Sequence, residues 1–162
     1  MDDLFAPADV SWTPVSPKLA TVRRLIAAIA FGILGVAGLL LFGMLIEWLY
    51  GALALVVAVL LLAWAWVLIG RNQRSWKYAE RDDELLVSHG IMFRQLVVVP
   101  YGRMQFVDVS AGPLERSFGL ATVELHTATP ATDAKIPGLT PEEAGRLRDR
   151  LSALGQAQAW GL

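Results

Sequence analysis

Two histidines, His89 and His126, and no cysteine are all the imidazole and thiol the chain carries. A zinc site needs three or four ligands at defined spacing, and the sequence offers no such set. The densest cluster of ionisable groups is acidic: Glu80, Asp82, Asp83 and Glu84. Carboxylates that close together can hold a cation, but the ligand spacing and central glycine of a calcium loop are missing. They read instead as an acidic hairpin turn. A serine nucleophile would sit in a G-x-S-x-G elbow, and a phosphate cradle would need a glycine-rich loop before a helix; neither is present. His89 ends a predicted strand, and His126 lies on the polar face of another. The expectation is a non-enzymatic protein with no catalytic residue, no metal ligand and no cofactor.

The elements around these residues are of two kinds. Hydrophobic residues make up 55% of the 162 and charged ones 18%, with a mean hydropathy of +0.48. A soluble domain averages about 25% charged, so the apolar excess has a location. It is the 45-residue stretch Leu25–Ile69, whose one charge is Glu47. As a single helix this would run about 67 Å, roughly twice the hydrocarbon thickness of a bilayer. Glu47, Trp48, Tyr50 and Gly51 mark the break, since charge, interfacial aromatics and glycine suit a turn at the water boundary. The pattern predicts spans of about Leu25–Leu45 and Tyr50–Ile69. Lys18, Arg23 and Arg24 precede the hairpin, Arg71, Arg74 and Lys77 follow it, and the turn has no basic residue. The positive-inside rule then places both termini in the cytoplasm of a two-span plasma-membrane protein. A cleaved signal peptide fits poorly: the apolar run is long, begins after acidic Asp2, Asp3 and Asp9, and is followed at once by a second span.

Small residues fall on one face of each span: Ala28, Gly32 and Gly35 on the first, Gly51, Ala54, Ala58 and Ala65 on the second. Such faces allow close helix approach in lipid, either within the hairpin or against another membrane protein. With no ionisable residue inside either span, a carrier or pump is disfavoured.

Residues 70–77 read as a short basic linker between the hairpin and a domain at 78–155, flanked by tails at 1–24 and 156–162. Strands are predicted at Ser75–Glu80, Glu84–His89, Phe93–Val99, Met104–Ala111, Ala121–Thr127 and Ala134–Ile136, from β-branched runs and alternation bounded by turn residues. Leu114–Phe118 reads as one helical turn, its Leu114 and Phe118 plugging the barrel side, with Glu115 and Arg116 turned to solvent or to each other. The last element is a helix with Thr140 as N-cap, Pro141 at its first position, Glu143 closing a capping box and Gly155 as its stop. Ala144, Leu147, Leu151 and Leu154 form its apolar stripe.

The runs Asp82–Gly90, Val99-Pro100-Tyr101-Gly102-Arg103-Met104-Gln105, Gly112–Ala121 and Ile136-Pro137-Gly138-Leu139 together resemble the bacterial membrane-anchored PH-like family. The resemblance covers nearly all of residues 25–155. It implies an α+β fold: a two-helix transmembrane hairpin followed by a small PH-like split β-barrel with a C-terminal capping helix.

Residues 71–162 hold 11 basic and 11 acidic side chains, a balance that argues against nucleic acid. The leading expectation is a protein-interaction module, an accessory or assembly subunit of a membrane complex or a self-assembling scaffold. Its partners would be other membrane proteins or itself, with Trp12, Pro14 and Pro17 as a candidate docking peptide. The alternative is anionic head-group binding at the inner leaflet through Arg71, Arg74, Lys77 and Arg81, where each basic residue gains about 1 kcal/mol.

Overall fold

The apolar stretch builds two helices of equal length, α1 (Lys18–Leu45) and α2 (Trp48–Ser75), in a computed structural model that describes residues 10–129 and 132–159. Asp2, Asp3 and Asp9, and residues 160–162 of the expected C-terminal tail, lie outside the described residues. At 28 residues, each helix is about 42 Å long, enough for a 30 Å hydrocarbon core with polar ends to spare. Their most apolar windows have mean hydropathies of 2.7 and 2.8 and are 6% buried, so both are long and apolar enough to cross a membrane. Helix α2 continues through most of the expected 70–77 linker. Nothing from Arg71 to Ser75 breaks a helix already nucleated, and Arg74 suits the negative C-terminal end.

Two compact units result, Ala20–Arg71 and Met1–Leu19 with Asn72–Leu162. In the first, the turn between the helices is Ile46–Glu47. Gly51 lies at a close approach of α2 to α1: a Cβ there would meet Leu39 O at 2.6 Å and Gly43 N at 3.0 Å. Gly35 faces Leu55 and Ala58, and Gly38 faces Ala54. Gly32 departs from the expected face; a Cβ on it would touch nothing within 4 Å.

The second unit holds two antiparallel sheets. The first has the order β1 (Thr13–Pro14), β2 (Lys77–Glu80), β3 (Glu84–His89) and β4 (Gln95–Pro100), and the second is β5 (Met104–Ser110), β6 (Ala121–Thr127) and β7 (Ala134–Leu139). A 3-10 turn, Tyr101–Arg103, links β4 to β5, and the short helix α3 (Pro113–Ser117) links β5 to β6. Helix α4 (Pro141–Ala159) closes the fold. Its capping box is as expected: Thr140 Oγ1 accepts from Glu143 N–H and Glu143 Oε2 accepts from Thr140 N–H, both at 3.2 Å. Leu85, Val87, Val99, Val123, Leu125 and Ile136 meet Ala144, Leu147 and Leu151 of α4 in a core where every one of these is fully buried.

Four local expectations are corrected. The chain before α1 is part of the domain rather than a tail, because Thr13 pairs with Tyr78 and Pro14 with Lys77. Strand β7 runs on through Pro137-Gly138 instead of ending at Ile136, with a register shift between Ala121 and Val123 of β6 absorbing the irregularity. Leu114 is 37% exposed and plugs nothing, while Leu120, at 1%, takes the buried place. Gly155 does not stop α4, which runs on to Ala159 because Gln156 and Ala157 are good helix formers.

Candidate functional site

Strand β5 is the outer strand of its sheet and, among the described residues, pairs with β6 alone. Its sequence places Phe106 outside, 56% exposed and stacked on His126 at 4.4 Å between centroids. Beside it runs α4. The two leave a groove of about 400 Å³, with Met104, Gln105, Phe106 and Val107 on the strand side and Leu151, Ser152, Gly155 and Gln156 on the helix side. At Gly155 the helix runs beside the strand at ordinary packing distance: a Cβ would stand 3.6 Å from both Met104 Cε and Tyr101 O. An outer strand presents unpaired N–H and C=O groups, the template on which another extended segment can add.

One end of that edge is closed from within. Asp108 Oδ1 accepts from Val109 N–H at 2.8 Å, occupying an outward donor with a side-chain charge. Strand alternation puts the Val107 N–H on the same outward side, next to the groove. The open stretch is therefore Met104–Val107.

The far wall of the domain is held by ion pairs. Glu80, with 14% of its side chain exposed, lies 3.1 Å from Arg146 Nη2 and 3.2 Å from Arg150 Nε, which ties α4 to β2. The neighbouring Arg81 pairs with Glu84 at 2.9 Å. Beneath them the Tyr101 hydroxyl donates to Arg81 O at 2.9 Å, and burial, with Glu80 adding to it, pushes this phenol up to about 12. The acidic cluster borders a shallow groove of about 530 Å³. Among the described residues, no three His, Asp or Glu side chains converge as metal ligands would.

Among the described residues, neither imidazole has a hydroxyl hydrogen-bonded to it. His126 Nδ1 lies 3.3 Å from Asp133 Oδ2, and Asp133 also accepts from Thr127 N–H at 2.8 Å, the hydrogen bond that does most to hold its carboxyl below the usual range. His89 stacks on Trp76 at 4.4 Å, and burial lowers its pKa.

A family model described as bacterial PH domain matches residues 17–155. The chain belongs to this family. Two proteins of Bacillus subtilis (strain 168) are similar to it. One is the UPF0699 transmembrane protein YdbS, 37% identical over 109 residues, which are 67% of either chain. The other is the UPF0699 transmembrane protein YdbT, 28% identical over 102 residues that cover 62% of this chain and 20% of YdbT. The chain thus spans two thirds of the first relative's length and a fifth of the second's. No solved structure matches it. Two apolar helices of spanning length and relatives that are transmembrane proteins make this a membrane protein carrying a bacterial PH domain.

Within the bacterial PH domain the sequence-predicted residues scatter. Trp12 packs its ring over Lys77 Nζ at 4.8 Å, Pro14 lies in β1 and Pro17 is exposed. Trp12 and Pro14 of the candidate docking peptide are thus engaged with their own domain at Lys77, while Pro17 lies outside that contact. Of the basic set, Lys77 is engaged by Trp12 and Arg81 by Glu84, whereas Arg71 and Arg74 are exposed. In the hairpin, Gly35, Gly51, Ala54 and Ala58 lie at the contact between helices, Ala28 and Ala65 are half-buried, and Gly32 is exposed. Gly38 and Gly43, outside the expected small-residue face, belong to that contact too. They follow Gly35 at helical spacing, a signal that was available. Glu115 accepts from Gly112 N–H at 2.9 Å and from Thr122 Oγ1 at 3.2 Å, so it braces α3 against β6 instead of facing water. The strand edge at β5 had no signal in composition.

Proposed function

We propose that this bacterial PH domain is a non-catalytic interaction module on a membrane anchor, serving as an accessory or assembly subunit of a membrane complex or as a self-assembling scaffold. It would receive an extended segment of its partner along Met104–Val107. The observation that carries this reading is the open edge of β5 beside the groove to α4, closed by Asp108 at one end only. Backbone hydrogen bonds supply affinity in such strand addition, and pockets for alternate side chains supply selectivity. The basic residues flanking the hairpin support a cytoplasmic location for the domain and both termini.

A photo-crosslinking residue at Gln105 in intact cells tests it, with the same residue at exposed Asp149 as the off-groove control. One defined adduct from position 105, a second copy or another protein, is expected, and Val107→Pro removes it. That substitution deletes an edge donor without touching a ladder bond to β6, and edge strands tolerate proline. Equal labelling from both positions would end the proposal. Exposed Arg71 and Arg74 favour a second reading, anionic head-group binding; reversing both charges would then lower retention on phosphatidylglycerol vesicles and leave the position-105 adduct intact.

A further inference from the structure

The most exposed large apolar side chains among the described residues are not on the membrane-crossing helices. Met92 and Phe93 are each 85% exposed, against 76% for Met44, the highest value on α1 or α2. Both sit at the tip of the β3–β4 hairpin, after Ile91 and before Arg94. The tip has a defined shape. Gly90 adopts φ +108°, and a Cβ at that position would stand 1.9 Å from Phe93 O, so the chain folds back tightly over the glycine.

The base of the tip is fastened to the end of α2. Gly90 N–H donates to Ser75 Oγ at 3.1 Å, and His89 stacks on Trp76 with 14° between the ring planes. Ser75 is the last residue of α2, six residues beyond Ile69, the last apolar residue of the stretch. Six residues reach at most about 20 Å even when fully extended. The leash thus keeps the base of the tip within about 20 Å of Ile69 whatever path the chain takes. The residues next to it in sequence carry charge of one sign: Arg71, Arg74 and Lys77 on the leash and Arg94 directly after the tip, with no acidic residue in 70–77 or 90–95. Apolar side chains flanked by cations are the composition of a segment that lies in the lipid head-group layer.

We propose that the tip Ile91–Phe93 inserts into the head-group layer of the membrane that α1 and α2 cross, as a third contact with anionic lipid. The contact uses neither the β5 edge nor the groove beside it, and it stands whether or not that groove takes a partner.

The chain has no cysteine, so a single Gln95→Cys beside the tip accepts a polarity-sensitive fluorophore and leaves Met92 and Phe93 in place. The full chain is reconstituted in bilayers of equal phosphatidylcholine and phosphatidylglycerol, with Asp149→Cys as the control. At position 95 the expected result is blue-shifted emission, quenching by spin-labelled lipid, and iodide quenching several-fold weaker than at 149. Adding Met92→Ser and Phe93→Ser should return position 95 to the iodide accessibility of the control. Equal iodide quenching at 95 and 149 in the unaltered tip would overturn the proposal. So would a site at 95 shielded from iodide yet untouched by spin-labelled lipid, because a protein would then cover it.

Discussion

Helix α4 is both a wall of the core and a wall of the groove, and the two roles are separable by truncating one leucine from each. Leu147 and Leu151 are both fully buried, but Leu151 borders the groove and Leu147 does not. Leucine to alanine removes three carbons, worth about 2 kcal/mol of transfer free energy at 0.8 kcal/mol each. A sealed site adds the cost of the cavity left behind, which brings Leu147→Ala to about 3–4 kcal/mol. At Leu151 the vacated volume opens onto the groove, so the cavity contribution falls away and the cost stays near 2 kcal/mol. Amide hydrogen exchange of the full chain in detergent reads both, since protection falls tenfold for each 1.4 kcal/mol. Protection across α4 and β6 should drop a few hundred-fold for Leu147→Ala and about thirty-fold for Leu151→Ala. Equal losses would show that the space beside Leu151 is closed, which removes the groove. Losses below about threefold for both would mean that α4 is not docked as described.

The remaining expectations concern single contacts. Gly138 has φ +73°, and a Cβ there would stand 2.9 Å from Leu19 Cβ, so Gly138→Ala should cost about 2–4 kcal/mol. In limited proteolysis it should expose the chain around Val15. Tyr101→Phe leaves Arg81 O without its buried donor, lowering stability by about 1–2 kcal/mol, a drop of roughly 5–10 °C in the domain's Tm. Because burial sets the folded His89 pKa below its unfolded value, the unfolded chain binds more protons. Its contribution is complete above the unfolded value near 6.5 and is lost as pH falls through the folded one. His89→Gln should flatten that part of a denaturation-midpoint profile. In the hairpin, Gly51→Leu meets the Leu39 and Gly43 backbone and should separate the helices, while Gly32→Leu meets nothing. Disulfide trapping between cysteines placed at Gly38 and Ala54 should fail in the first variant and proceed in the second.

Much of this architecture is legible one residue at a time. The hairpin follows from the length of the apolar stretch and its interruption at Glu47, because a bilayer sets both limits. Strands Glu84–His89 and Ala121–Thr127 lie where alternation puts them, and Thr140, Pro141 and Glu143 start α4 where the capping chemistry requires. The bacterial PH motifs at Val99–Gln105 and Gly112–Ala121 were readable as a resemblance before their roles were. Helix ends were read less well. Gly70, where the expected linker begins, and Gly155, the expected stop, are both inside helices, since one glycine costs only about 1 kcal/mol in an established helix.

Other features exist only because distant residues meet. Val15 accepts a hydrogen bond from Gln73 and Ser16 donates one to Gly138, so a stretch with the composition of a tail becomes the edge of a sheet. Tyr101 looks like a turn residue and is a buried one, because β4 delivers it beneath Arg81. Lys77 and Arg81, two of the four basic residues expected to meet lipid, are engaged within the domain by Trp12 and Glu84. The groove between β5 and α4, and the fastening of Gly90 to Ser75, join positions dozens or at least fifteen residues apart. Local composition decides which element a segment forms and whether it prefers lipid or water, because propensity and hydrophobicity act over a few neighbouring residues. Which edge stays open, which charge stays free and which apolar tip stays bare depend on what packs there from elsewhere in the chain.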